Sequence, residues 1–494
     1  MPGGFVQIPK YGFAKNVVSF DANSLYPSVM ISLNLSPETK LGRVEKVGDV
    51  VNVHHVSGRI FELTTEKFGK YLKEENAAMS KAGFLFSQKK VGIMPEFLDS
   101  LYQKRKDMKD EMKKLKNKLA REKESLTPEE ISAIEANIQK CNTYQHAYKI
   151  CLNSVYGYMG NRYAPMGDHD IGCSVTLTGQ AINKKNRELF ASFLRDRYNI
   201  SEIDIEKCCL AGDTDSGYFS LAPLEAHGVP LKDENGKITQ KFYDTCDELE
   251  EYINTRIFEW CKKTFRSKDC RIVYKRESIC DAGILLVGKK NYVLHVLDDE
   301  GTITNKFKYV GVDVVRTTMP KPVKPYVKKV IESMILDQSL QTSNKLFSEA
   351  YDIFNQLDIV DISKNSGMNN YEKYSRQCNG LDIAKKMPFA LKAAYRHDFI
   401  VEQLGLVSKY EKFRSGDKIK LVAVKLPNQY NINMIGYKEK YPEEFKQIFR
   451  IDYETMFNTV FFAAIKRFYD AVGWKLRKPN ENLKVELEDY LGGD

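Results

Sequence analysis

A stretch of about sixty residues in the first third of the sequence constrains the fold most strongly. From Met94 to about Glu124 the chain is rich in Lys and Glu and, after Pro95, contains neither Pro nor Gly, as expected of a long helix. The segment Thr127-Pro-Glu-Glu130 then has the pattern of a capping box with proline in the first turn, and helix formers continue to about Tyr156. The two segments predict antiparallel helices, each roughly 40 Å long, that project from the body carrying them.

The sequence on either side of this hairpin has a mixed pattern. Apolar residues recur as in strands at 5–63, 206–221, 270–297 and 305–316, and as in a helix at 170–198. The Pro-rich cluster at 320–325 has the composition of a linker, and it is followed by helical sequence to about Phe354 and a mixed pattern to the end. We therefore expect an α+β body interrupted by a helical hairpin and followed by a separate C-terminal domain.

Composition and charge narrow the class of protein. The 75 basic and 66 acidic residues give a net charge of +9, which would suit a nucleic-acid partner without requiring one. Ten Lys and Arg against five acids at 101–125 indicate either a solvated helix face or an anion-binding surface. The ten cysteines include no C-x-x-C pair, so neither a zinc ribbon nor an iron–sulfur site is indicated. With no long apolar stretch and no signal pattern, we expect a soluble, cytoplasmic protein, in the host cytoplasm if it is viral, that does not act at a membrane.

Two acidic positions are candidates for a metal site. Asp213 and Asp215 follow Gly212, and carboxylates two residues apart in an extended or tightly turned segment point to the same side. Because like charges this close repel, a cation between them is favoured, and Mg²⁺ prefers one or two carboxylates. Asp21 ends another apolar strand, where it is either a ligand or a solvated terminus. A second Asp-x-Asp pattern, at 168–170, is interpreted as a surface turn.

Basic and aromatic residues accompany these acids. Tyr26, in the segment Leu25-Tyr26-Pro27-Ser28, predicts a ring beside the metal site, with a helix beginning just after it whose backbone N–H groups can hold an anion. Lys149, Asn153 and Tyr156 lie on one stripe of the second predicted helix, and Arg105 and Lys109 are four residues apart on the first. These groups would suit a triphosphate stretched between the two helices, although ordinary amphipathic helices give the same spacing. Lys289-Lys-Asn-Tyr292, after a buried-strand run, can contact a phosphate backbone.

Taken in order, four segments resemble the signature blocks of B-family DNA polymerases. They are DANSLYPS at 21–28, KICLNSVYG at 149–157, DTDS at 213–216 and KKNY at 289–292. NLSPET at 34–39 and SGDKIK at 415–420 are similar to the replicative polymerases of T-even-like bacteriophages. The resemblance covers essentially the whole chain. It implies a right-hand α+β architecture with an antiparallel-sheet palm (1–91 and 162–318), helical-hairpin fingers (92–161) and a mostly helical thumb with a C-terminal tail (319–494).

The resemblance also implies an activity and a role for each residue. The chain would be a phage replicative DNA-directed DNA polymerase, which adds deoxynucleoside triphosphates to the primer of a primer-template with two Mg²⁺, or Mn²⁺ as an alternative. Asp21 and Asp215 would be the catalytic acids and metal ligands, with the Ala22 carbonyl, Asp213 and Glu277 as further metal-site groups. The implied nucleotide-binding residues are Ala22, Ser24, Leu25, Tyr26, Arg105, Lys109, Lys149 and Asn153, with Tyr26 as a steric gate against ribonucleotides. The implied DNA-binding residues are Tyr156, Gly157, Thr214, Lys289, Lys290 and Tyr292.

The sequence departs from the family in three places. Ala211 stands where a tyrosine is usual and Asn291 where an arginine is usual, which puts the fit at the primer terminus in doubt. The first metal aspartate is only residue 21, and GGFV at 3–6 resembles the segment that joins an exonuclease domain to the palm. We therefore expect no 3′–5′ exonuclease domain in this chain and a separate exonuclease or N-terminal polypeptide as a partner, in preference to a loss of editing or a removal of that half. Phe5, Val6 and Ile8 would be under-buried at that junction, and Asp204 and Glu206 would not be editing acids.

The C-terminal tail and the activity each leave alternatives open. Residues 483–494 alternate apolar and acidic residues, which is typical of a disordered terminus, or of a peptide that docks on a sliding clamp through Leu487, Tyr490 and Leu491. A non-catalytic homologue is opposed by the retained repelling carboxylates. A protein-primed or RNA-making polymerase is disfavoured by Tyr26 and by the lack of a long palm insertion. Primer extension with Mg²⁺ separates these hypotheses.

Overall fold

A computed structural model of the chain describes residues 3–7, 9–123 and 125–478, without the side chains of residues 203 and 204. The chain divides into two compact units. The first comprises the residues before Pro9, Asn16–Ile279 and Asp299–Thr302, and the second comprises Pro9–Lys15, Cys280–Asp298 and the residues from Ile303 onward. The four-part division into palm, fingers and thumb stays a prediction.

Helices and strands are interspersed along the chain. The strands are β1 (Gly12–Ala22), β2 (Lys40–Val47), β3 (Val50–His55), β4 (Ile60–Thr64), β5 (Ala77–Met79), β6 (Phe84–Ser87), β7 (Cys209–Gly212), β8 (Ser216–Ser220), β9 (Tyr274–Leu285), β10 (Tyr292–Asp299), β11 (Thr302–Val310), β12 (Lys364–Gly367), β13 (Lys418–Ala423) and β14 (Met434–Tyr437). The helices of the first unit are α1 (Leu25–Ser32), α2 (Thr65–Glu74), α3 (Ile93–Glu122), α4 (Pro128–Met159), α5 (His169–Tyr198), α6 (Glu202–Cys208), α7 (Ala222–Ala226) and α8 (Gln240–Phe265). Those of the second unit are α9 (Lys324–Leu336), α10 (Leu340–Phe354), α11 (Ile359–Ile362), α12 (Tyr371–Ser375), α13 (Phe389–Gln403), α14 (Glu443–Ile448), α15 (Tyr453–Phe457) and α16 (Ala463–Ala471). This mixture confirms the predicted α+β class.

Part of the sheet that carries the acidic residues lies in the first unit. Its strand order there is β9-β1-β8-β7, and β1 runs antiparallel to β8 with Val17 opposite Ser220 and Asp21 opposite Ser216. Successive residues of β1 are buried, which explains its continuous apolar run, because helices cover the sheet. Phe190 of α5 stacks on Phe219 of β8 with ring centroids 4.1 Å apart. A second sheet has the order β4-β3-β2-β6-β5.

The predicted helical hairpin is confirmed as α3 and α4. The capping box at the start of α4 is present, since the Thr127 hydroxyl accepts a hydrogen bond from the Glu130 backbone N–H and the Glu130 carboxylate accepts one from the Thr127 N–H. Near the base of the hairpin, Leu98 of α3 and Leu152 and Met159 of α4 are buried in the core of the first unit. The helix ends nearest the body are therefore anchored by apolar packing, whereas most side chains toward the tip are exposed.

Three local predictions are wrong. Helix α1 begins at Leu25, so Tyr26 lies inside the helix rather than just before it, because Ser24 adopts a left-handed conformation (φ 52°) that starts the helix and leaves Pro27 in the first turn, where its missing N–H is not needed. The predicted strand at 206–221 begins with the last turn of α6. Asp168 is not in a surface turn: it caps α5 by accepting hydrogen bonds from the backbone N–H groups of Asp170 and Ile171.

The second unit has its own cores and sheets. In it, β9, β10 and β11 are neighbours, and β13 pairs antiparallel with both β12 and β14. Val323, in the Pro-rich cluster, is 1% exposed and belongs to a core of this unit, so the cluster is packed rather than an extended linker. None of the described helices combines the length and the apolar composition that a membrane span requires.

Candidate active site

Two aspartates meet where β1 and β8 lie side by side. The Ala22 backbone N–H, next to Asp21, donates to the Asp215 carbonyl at 2.8 Å, which fixes the two segments against each other. Burial raises the pKa of Tyr274 well above its usual value, and the charges of Asp21 and Asp215 raise it further. One fully buried hydroxyl thus lies within electrostatic range of both carboxylates. The structure brings together two acids that are far apart in the sequence.

The turn that carries Asp215 is held by hydrogen bonds on several sides. The Asp213 backbone N–H donates to the Ser216 carbonyl at 2.9 Å, and the Asp213 carboxylate accepts from the Thr214 N–H at 2.6 Å. The side-chain amide of Asn183, on α5, donates to the Asp213 carbonyl. Because its backbone is tied down in this way, the turn presents Asp215 in a fixed position, and Asp213 uses part of its carboxylate within the turn itself.

The segment after Asp21 is equally constrained. The Asn23 N–H donates to the Val273 carbonyl at 3.0 Å, and the Ser28 hydroxyl donates to the Asn23 carbonyl at 3.0 Å. Ser24, with its positive φ, then directs the chain into α1. A non-glycine residue keeps this conformation only where its surroundings impose it.

Tyr26 lies beside these acids with its ring wedged between neighbours. Its centroid is 4.7 Å from that of Tyr156 on α4, and a Cβ added at Gly179 would lie 3.1 Å from the Tyr26 ring. Gly179 therefore leaves the space that the ring fills. Burial, the neighbouring Tyr156 and the charges of Asp215 and Asp213 raise the pKa of Tyr26 to about 12, so its hydroxyl is protonated at neutral pH.

Arg105, a basic residue of α3, contacts the turn that follows Asp21. Its guanidinium donates to the Ser24 hydroxyl at 3.1 Å. Burial lowers the pKa of Arg105, while Tyr102, Glu300 and Asp21 act in the opposite direction, so a partly buried cation lies within electrostatic range of Asp21. The predicted partners of Arg105 on the hairpin, Lys109, Lys149 and Asn153, have exposed side chains.

Glu277 and Tyr274 come from β9, on the other side of β1. The Glu277 carboxylate accepts a hydrogen bond from the Ser19 hydroxyl at 3.2 Å, two residues before Asp21. Tyr274, Asn183 and Tyr102 belong to the site but to none of the four sequence blocks. A buried tyrosine and a helix asparagine give no signal in the sequence, because only the fold brings them to the acids.

Comparison with known proteins decides the family. A sequence model of DNA polymerase family B matches residues 1–472 of this chain. The chain belongs to DNA polymerase family B.

Relatives of the chain include DNA polymerases of two phages and of Thermococcus gorgonarius. The chain is 23% identical to a DNA-directed DNA polymerase of Enterobacteria phage T4, over 96% of this chain and 55% of that protein. It is 26% identical to a DNA-directed DNA polymerase of Escherichia phage RB69, over 76% of this chain and 44% of that protein. It is 23% identical to a DNA polymerase of Thermococcus gorgonarius, over 99% of this chain and 49% of that protein. The chain thus spans about half the length of the curated relatives it matches.

The acids of this family B chain fit a divalent, oxygen-seeking ion. Within the described part of the chain, no group of three or more His, Cys, Asp and Glu side chains forms a ready metal cage. The candidate donors for such an ion are the carboxylates of Asp21 and Asp215 with nearby backbone carbonyls. Such a sparse all-oxygen set suits Mg²⁺, which keeps several waters and binds substrate phosphates in addition to one or two carboxylates.

The remaining predicted residues are distributed over both units of the family B chain. Gly157 and Thr214 lie in the first unit, next to Tyr156 and Asp215. Lys289 and Lys290 are exposed in the turn between β9 and β10 of the second unit. Tyr292, at the start of β10, is buried, with 6% of the residue exposed. Its role in DNA binding stays a prediction.

Several predicted residues lie near the ends of the described ranges or outside them. Phe5 and Val6 are half-buried, and the Lys184 ammonium lies 5.3 Å from the Phe5 ring centroid. Ile8, the Asp204 side chain and the tail residues Leu487, Tyr490 and Leu491 lie outside the described residues. The predicted clamp contact and the separate editing polypeptide stay predictions.

Proposed function

We propose that this chain is a DNA-directed DNA polymerase of the right-hand type, which adds deoxynucleotides to a primer 3′ end by two-metal nucleotidyl transfer. The observation that carries the proposal is the meeting of Asp21 and Asp215 at neighbouring strand ends, with the cation of Arg105 and the ring of Tyr26 beside them. Phosphoryl transfer needs little covalent catalysis from the protein. Its active site is therefore expected to position the reactants and to stabilise the charge that develops on the phosphate oxygens.

The acids would hold the ions on which the reaction depends. Asp21, Asp215 and the Ala22 carbonyl would be ligands, with Asp213 and Glu277 as neighbouring acids. Two Mg²⁺, or Mn²⁺ as an alternative, would supply activation of the primer hydroxyl and neutralisation of the departing pyrophosphate. The hydrogen-bonded backbone on both sides of the pair supports this role, because metal ligands act best when the surrounding structure fixes their orientation.

Phosphate binding would fall to the hairpin and to the start of α1. Arg105, Lys109 and Lys149 would contact the triphosphate through charge-assisted hydrogen bonds. The backbone N–H groups at Ser24 and Leu25, where α1 begins, form the positive end of a helix and favour an anion. Asn153, on the same stripe of α4 as Lys149, would face the new base pair.

Sugar selection would belong to Tyr26. Its ring is fixed by Tyr156 on one helix and by the space at Gly179 on another. A ring that cannot withdraw would exclude a ribose 2′-hydroxyl. Tyr156 and Gly157, with Thr214, would line the path of the primer-template near the reacting end.

Duplex binding and further partners complete the proposal. Lys289 and Lys290 would contact primer phosphates, in keeping with the net positive charge of the chain.

We also propose a replicative role in a phage, and a sliding clamp as partner of residues 483–494. Deletion of these residues should spare distributive synthesis and remove stimulation by the cognate clamp. Equal stimulation with and without the tail would reject the clamp contact.

Primer extension with Mg²⁺ tests the function. We expect wild-type extension, and nearly complete loss of it in Asp21→Ala and in Asp215→Ala, with primer-template affinity changed by no more than a few-fold. Asp247→Asn, an exposed acid on α8, is the matched control and should retain activity. Failure of the wild type to extend any primer would favour a binding subunit. Activity within about tenfold of wild type in both alanine variants would reject the two-metal assignment.

A further inference from the structure

The first helix of the hairpin touches the turn that follows Asp21. The side-chain amide of Asn23 donates a hydrogen bond to the hydroxyl of Tyr102, on α3, at 2.6 Å. Asn23 is two residues after the metal-site aspartate, and Tyr102 is 79 residues further along the chain. A hydrogen bond this short and this distant in sequence ties the hairpin to the acidic site.

A second bond joins the same two segments. Arg105, one turn after Tyr102 on α3, donates to the Ser24 hydroxyl at 3.1 Å. Its Nε is buried and, among the described residues, has no hydrogen-bond acceptor. Two consecutive residues of the turn, Asn23 and Ser24, are thus held by one turn of α3.

The turn itself has little freedom to follow α3. Its backbone is bonded to Asp215, just before β8, through Ala22, to the segment before β9 through Asn23, and to α1 through Ser28. Ser24 also occupies a left-handed conformation that only a fixed environment maintains. Because these bonds hold the turn in place, a contact with it constrains the position of α3.

Packing alone accounts for only part of the position of Tyr102. Its ring is partly buried against the core of the first unit, and the ring of Tyr148, on α4, is partly buried against the same core. Of the two tyrosines, Tyr102 is the one whose hydroxyl has a side-chain hydrogen bond among the described residues. The ring would pack equally well as phenylalanine, so the hydroxyl has a separate role.

We propose that Tyr102 is a positioning residue whose bond to Asn23 seats α3 on the turn after Asp21 and so sets the Arg105 guanidinium at the nucleotide site. The inference rests on the proposed function only for the identity of the ligand, a nucleoside triphosphate. The seating of α3 is a property of the free protein.

Tyr102→Phe keeps the ring and removes the hydroxyl. The bond from Asn23 to Tyr102 favours the position of α3 in which Arg105 can contact the nucleotide. Its loss in Tyr102→Phe should raise the KM for deoxynucleotide by about three- to tenfold and leave kcat within about twofold of wild type. A merely structural role would instead lower kcat through a smaller folded fraction, with KM unchanged. Asn23→Ala should reproduce the effect of Tyr102→Phe, and the double variant should be no worse than either single variant, because both remove the same bond.

Tyr148→Phe is the matched control: it removes a hydroxyl from the other hairpin helix and should change neither constant. Hydrogen–deuterium exchange of the nucleotide-free protein gives a readout that needs no activity. Amides near Tyr102 should exchange about three- to tenfold faster in Tyr102→Phe and in Asn23→Ala than in wild type and in Tyr148→Phe. If the wild type did not polymerise but showed this pattern, the proposed function would fail and the seating would stand. Unchanged exchange and KM in Tyr102→Phe, or additive effects in the double variant, would overturn the inference.

Discussion

Replacing Tyr26 with alanine should relax the choice between deoxyribonucleotides and ribonucleotides. In the wild type the ring is held on two sides, 4.7 Å from the Tyr156 ring and close to the backbone at Gly179. Because the ring cannot move aside, a ribose 2′-hydroxyl would clash with it. Such a clash in a filled site costs about 1–3 kcal/mol of binding free energy. Since 1.4 kcal/mol is a factor of ten, the ratio of deoxy- to ribonucleotide incorporation should fall by about 5- to 150-fold in Tyr26→Ala.

Tyr26→Phe separates the ring from its hydroxyl. The ring carbons remain, and among the described residues the Tyr26 hydroxyl takes part in no side-chain hydrogen bond, so the ratio should stay within about threefold of wild type. Because the pKa of Tyr26 is about 12, the hydroxyl stays neutral between pH 7 and about 9, and the wild-type ratio should be flat over that range.

The assay is insertion of a single nucleotide, with kcat/KM measured for matched deoxy- and ribonucleoside triphosphates. Loss of the contact with Tyr156 costs about 0.5–1.5 kcal/mol beyond the lost burial, so the urea midpoint of each variant must show that it is folded under assay conditions. A folded Tyr26→Ala protein whose ratio stays within about threefold of wild type would refute the steric argument and assign selection to another group.

Three further outcomes are expected. Lys149→Ala should raise the nucleotide KM or slow the chemical step, at a cost of about 1.5–3 kcal/mol in kcat/KM, and a loss of DNA affinity alone would instead make α4 a duplex-binding element. Gly283→Ala should lower the free energy of unfolding, measured by urea titration, by about 1–3 kcal/mol, because the added Cβ would lie 2.6 Å from a backbone carbonyl oxygen of β10. An unchanged urea midpoint would show that β10 shifts to make room for the methyl group. Burial alone would lower the pKa of Lys40, but its hydrogen bonds to Asp170 and Asp168 outweigh burial and raise the pKa. Lys40→Met should therefore lower the free energy of unfolding by about 1–3 kcal/mol at pH 7–9, and the difference from wild type should shrink as the pH rises through the raised pKa. A difference independent of pH would instead indicate that Lys40 stabilises the protein by packing.

The hairpin is the part of this protein that the sequence by itself determined. Its helices depend on local composition, the capping box at Thr127 and an unbroken run of helix formers, and these act within a few residues of one another. The acids at 21 and 213–215 were also found in the sequence, because strand ends and family blocks keep their residue types together. Such features need no knowledge of what packs against them.

Tertiary structure decided what surrounds those acids. Helix α1 begins at Leu25 because long-range hydrogen bonds hold the preceding turn in a left-handed conformation that a local pattern does not predict. Tyr274 lies under the acids, and Tyr102 is joined to Asn23, only because strands and helices distant in sequence pack side by side. Tyr292, which lies in a family block, is nevertheless buried. Burial and hydrogen-bond partners depend on the whole fold, and the residue types at single positions do not contain that information.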